Sequence, residues 1–190
     1  MAKISFLSRW SSEIFGPRAL ALGIVGGLTM IVSPAAALAA PSICDRVSAA
    51  SVSSIVGYPV PAAVIATRVL KATAESDGIS GTDTTCTFGS QATIPALLKD
   101  VTLEEETTSK PLTVQEVESS LSAHANSSLK ITVTSYSGLG VPAVYFTETG
   151  GGISGEGISG LVGTRSFGAS VEQPLTRAKL AALAKLARNL

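Results

Sequence analysis

The sequence predicts an α+β domain: an antiparallel sheet with helices packed on one face, held by a single disulfide. Strand-like runs stand grouped, with helical segments before, between and after them, and do not alternate as βαβ units do. The stretch Leu129 to Glu148 carries two such runs around a turn containing Gly and Pro, and Cys44 and Cys86 are the only cysteines.

In the first of those runs Ile131, Val133 and Ser135 alternate with Thr132, Thr134 and Tyr136, the period of two of a half-buried strand. The second, Ala143 to Thr147, is β-branched and aromatic through its middle and suits a strand covered on one face by helices. Between them Gly138 and Gly140 offer positive-φ freedom and Pro142 blocks helix continuation, so the chain turns.

Residues 1 to 39 read as a secretory signal peptide. Lys3, Arg9 and Arg18 outnumber Glu13, Ala19 to Val32 runs fourteen residues without a charge, and Ala37-Leu38-Ala39 supplies the small-residue cleavage pattern. Fourteen apolar residues fall short of the roughly 20 that span a bilayer. Cleavage after Ala39 leaves Ala40 to Leu190 as one α+β domain, and Cys44, behind Pro41 and Ile43, sits in a poor context for lipidation. The expected product is soluble, secreted or periplasmic, and free of the membrane after signal removal.

Residues 40 to 190 hold eleven Lys plus Arg against thirteen Asp plus Glu, a net charge of −2 that recommends neither nucleic acid nor anionic membrane as a partner. Both Met and the only Trp belong to the leader. An exported chain meets an oxidising compartment, so Cys44 and Cys86 read as a disulfide. Closing a loop of about 43 residues contributes on the order of 4 kcal/mol in the chain-entropy model.

The mature chain then runs as follows. Residues 42 to 57 are a helical segment in which Ser42 caps with Asp45, Ser48 opens a further turn, and Gly57 stops it ahead of Pro59 and Pro61. Val64 to Ala72 is a strand, Glu75 to Asp83 a polar loop, Thr84 to Phe88 a short strand carrying Cys86, and Leu97 to Thr107 an edge-like strand. That last strand carries Glu104-Glu105-Glu106, three carboxylates that repel one another unless they point into water on both faces. Thr113 and Glu116 form a capping box for a helix to Ala125, with Val114, Val117 and Leu121 at helical spacing. Gly150 to Gly160 holds six Gly and two Ser in eleven residues and reads as a flexible hairpin loop or flap. Leu161 to Thr164 and Phe167 to Val171 are short strands, and Thr176 caps a C-terminal helix from Arg177 to Leu190.

No motif carries a catalytic centre. Gly138-x-Gly140-x-x-Ala143 matches a dinucleotide fingerprint in letters, but Pro142 and a strand follow where a helix N-terminus has to hold the pyrophosphate. Gly-Ile-Ser-Gly at 78 to 81, 152 to 155 and 157 to 160 never continues as G-x-S-x-G. The only histidine, His124, reads as a helix-surface residue that a loop serine would have to recruit. One His and two paired Cys exclude an ordinary zinc site, and Asp77 to Asp83 does not follow the EF-hand ligand pattern, so no metal or cofactor is expected.

The order of Cys44-Asp45, a capped helix ending in Gly57, Cys86-Thr87-Phe88, Gly138-Leu139-Gly140-x-x-Ala143 leading into a strand, and a Leu-rich final helix resembles small exported bacterial domains of unknown function, frequent among actinobacterial secreted proteins and lipoproteins. The pattern covers most of residues 43 to 190, with Val141-Pro142 where an acidic residue commonly follows the second Gly. The resemblance implies a disulfide-bridged α+β domain and brings no catalytic residue with it. The expected function is a non-enzymatic binding or interaction module for a protein or small-molecule ligand, with Ile153, Glu156 and Ile158 of the flap as its contacts. The alternatives are a secreted hydrolase using a loop serine with His124, and an inhibitor of another secreted protein.

Overall fold

A computed structural model of the chain describes residues 42–72, 78–89, 100–123, 125–150 and 153–188. The expected signal peptide, its cleavage point and His124 lie outside these residues.

The first helical segment is two short helices, α1 (Ile43–Arg46) and α2 (Ala49–Val56). Ser42 and Asp45 form the capping box of α1, and Ser48 interrupts the helix by capping α2 through an acceptor bond from Ser51 N. Three strands follow, β1 (Val64–Leu70), β2 (Gly81–Phe88) and β3 (Val101–Thr108). Helix α3 (Val114–Ala123) starts at Thr113, whose N–H donates to Glu116 Oε2 at 2.7 Å while its Oγ1 accepts from Glu116 N. Then come β4 (Leu129–Ser135), β5 (Ala143–Gly150), β6 (Ile153–Val162), β7 (Arg165–Val171) and helix α4 (Arg177–Arg188). In the turn before β5 only Gly140 is left-handed, at φ 69°; Gly138 is not.

All seven strands join one sheet in the order β1-β2-β3-β7-β6-β5-β4, and every neighbouring pair is antiparallel. The chain builds β1-β2-β3, crosses through α3 to the far edge, and returns strand by strand until β7 closes against β3. Cys44 of α1 is disulfide-bonded to Cys86 of β2, which pins the N-terminal helices to the sheet.

The helices do not share one face. Helices α1, α2 and α4 cover a core of Leu103, Ile158, Phe167 and Ala169, to which α4 adds Leu180 and Leu183. Helix α3 covers the other side, where Val117 and Leu121 pack on Val144, Phe146 and Leu161. The cause lies in β5: Ala143 joins the first core and Val144 the second, so both sides of this strand are apolar and both need a cover.

From Ile153 onward the glycine-rich segment is a strand and not a flap. Residues 153 to 162 form β6, an interior strand paired with β5 and β7. Two of its three glycines stand opposite aromatic residues: Gly157 faces Phe146 and Gly160 faces Phe167. A Cβ on Gly160 would come within 2.6 Å of the Phe167 ring, so the missing side chain is the space the ring occupies.

Candidate functional site

The structure relocates each residue expected to recognise a ligand. Ile158 is fully buried in the core under α4. Glu156 is 8% exposed and acts as a strut: Tyr145 OH donates to its Oε2 at 2.7 Å and Leu175 N to its Oε1 at 2.5 Å. The Arg177 guanidinium lies over the Tyr145 ring, 4.5 Å from its centroid. Burial, the hydrogen bond to Glu156 and its charge raise the Tyr145 phenol pKa. Ile153 opens β6 opposite Gly150. Of the repeated serines, Ser159 is buried in β6, and Ser80 lies just before β2, where its carbonyl accepts from Ser109 N and its N–H donates to Ser109 Oγ.

The three adjacent glutamates divide between the faces, and their surroundings are not open water. Glu105 lies on the α1 side, 2.8 Å from Arg46 Nη2 and 2.5 Å from Arg165 Nε. The second contact is a charge pair rather than an aligned hydrogen bond, and Arg165 Nη2 donates instead to Ala187 O. On the opposite face the registers align Arg68, Asp83, Glu106 and Ser166 across β1, β2, β3 and β7. Glu106 is 2% and Ser166 1% exposed, and Glu106 Oε1 and Ser166 Oγ have no hydrogen-bond partner. Burial first and the neighbouring Asp83 second push the Glu106 carboxyl up to about 7, against the pull of Arg68.

Next to this row Thr102, Glu104, Phe146, Ser159 and Ser170 line a cavity of about 10 Å³. That is room for one water molecule. Among the described residues no group of three or more His, Cys, Asp or Glu side chains could hold a metal ion, and no helix is long and apolar enough to cross a membrane.

The surface that stands out is an edge. Among the described residues strand β1 ends the sheet, and Val64, Ile65 and Val69 are 72%, 53% and 70% exposed. The opposite edge, β4, shows solvent Lys130, Thr132 and Thr134 while α3 shelters its Ile131 and Val133. Sequence reasoning found β1 as a strand but not as an edge. Its signal was available in part: VIATRVL has apolar residues on both faces. Compared with known proteins, the chain matches no family model, no curated protein and no solved structure.

Proposed function

We propose that residues 40 to 190 act as an exported, non-enzymatic interaction module that docks through the outer edge of β1. One observation carries this reading: a seven-residue edge strand with three large, exposed apolar side chains. An edge strand offers a row of backbone donors and acceptors, and proteins ordinarily blunt such edges with charge, proline or cover. Each edge carries one charge, Lys130 on β4 and Arg68 on β1, but β1 alone combines it with large exposed apolar side chains, Val64, Ile65 and Val69. Strand addition uses such an edge, with backbone bonds giving affinity and alternate side chains giving selectivity.

The test is photocrosslinking on the exported protein, with the reactive residue at Val64 and, as a control, at Thr132 on the other edge. Adducts are expected from position 64 and not from 132, together with a mature N-terminus at Ala40 and no turnover of ester or peptide substrates. Equal labelling at both edges, or robust turnover, overturns the reading.

A further inference from the structure

The sequence of β1 is self-complementary, and on the reading that this edge docks, we infer that its occupant is a second copy of the same strand. Turned about a two-fold axis through Thr67, β1 places Val64 opposite the second copy's Leu70, Ile65 opposite its Val69, and Ala66 opposite its Arg68. The symmetry repeats each pair, so four apolar pairs flank a central Thr67 pair. Three of the four apolar residues that meet are exposed and Leu70 is half-buried: Ile65 and Val69 lie on one face of the strand and Val64 and Leu70 on the other.

Charge agrees with this register. The single charged residue of β1, Arg68, faces Asp83 within its own sheet and an alanine across the junction, so no like charges stand directly opposite. Pairing β1 with the β4 edge of another copy would leave a free edge at each end and grow without limit, whereas the two-fold pairing closes. It joins two seven-stranded sheets into one of fourteen strands. The junction is about 23 Å long at ~3.3 Å per residue, and its area falls below roughly 1,200 Å². The dimer is therefore weak and reversible.

Sedimentation equilibrium of the mature protein, from about 10 μM to 1 mM where small interfaces associate, is expected to show a monomer–dimer equilibrium. Ile65→Glu with Val69→Glu puts carboxylates opposite carboxylates and abolishes the dimer over that range. Ile65→Lys with Val69→Glu puts opposite charges together in the two-fold register and restores it. Should either variant misfold, hydrogen exchange of the wild-type amides at 64–70 decides, because they slow with rising concentration while those of β4 do not. A wild-type protein that stays monomeric to about 1 mM, or a dimer indifferent to both charge variants, overturns the inference. Adducts from position 64 to a different protein alongside a monomeric chain would overturn self-pairing and leave the docking edge standing.

Discussion

Phe146 stands directly across from Gly157 in the β5–β6 register, and a Cβ on Gly157 would overlap the tip of its ring. The ring occupies the volume that any other residue at 157 would claim. Gly157→Ala is therefore expected to destabilise the fold by about 1 to 3 kcal/mol through overpacking. Phe146→Leu in the same chain should recover part of that loss, because the two changes share one space. Urea unfolding of the two single variants and the double variant measures the coupling; strictly additive effects would contradict the shared space.

That pair also explains why the strand was hidden in the sequence. Composition alone makes Gly150 to Gly160 a flexible loop, since glycine has no packing of its own. The rings that fill the missing side chains sit eleven and seven residues away, and only the register brings Phe146 and Phe167 onto Gly157 and Gly160. Local signals are legible where the contact is local: Ser42 with Asp45 and Thr113 with Glu116 cap the helices expected of them. The expectation of helices on one face failed at Ala143-Val144-Tyr145-Phe146, whose unbroken apolar run already signals a strand covered on both sides. The polar row from Arg68 to Ser166 could not be read at all, because its four members belong to four strands.

Glu156 ties β6 to β5 and to the segment leading into α4. Glu156→Ala removes the acceptor of both Tyr145 OH and Leu175 N and is expected to cost about 2 to 3 kcal/mol. A charge on a mobile loop would be dispensable. A thermal melt of Glu156→Ala indistinguishable from wild type would contradict the strut.

The disulfide joins Cys44 to a position with no solvent exposure, 42 residues further along the chain. Replacing both cysteines, Cys44→Ala with Cys86→Ala, should lower stability by about 2 to 5 kcal/mol by releasing the unfolded chain. Peptide mapping without reductant should recover the two cysteines in one linked fragment. Two free thiols in natively purified protein would contradict the link.

Glu106 makes stability depend on pH in a direction opposite to most carboxylates. Its folded pKa is raised from 4.5 to about 7, chiefly by burial and then by Asp83 across the β2–β3 register. The folded state thus holds a proton that the unfolded state has already released between pH 4.5 and 7. The contribution of this proton to stability is fully present below pH 4.5 and is lost as pH rises through about 7. At ~1.4 kcal/mol per unit the loss is on the order of 3 kcal/mol. Glu172, raised to about 6 by burial and Asp100, acts in the same direction over a narrower range. Glu106→Gln keeps the shape, carries no titrating proton, and should remove the part of the decline that extends to pH 7, leaving the variant more stable than wild type at pH 8. Urea midpoints at pH 5, 6, 7 and 8 for both proteins test this; parallel profiles for wild type and Glu106→Gln would mean that the carboxyl is charged in the fold and that Arg68 outweighs its burial.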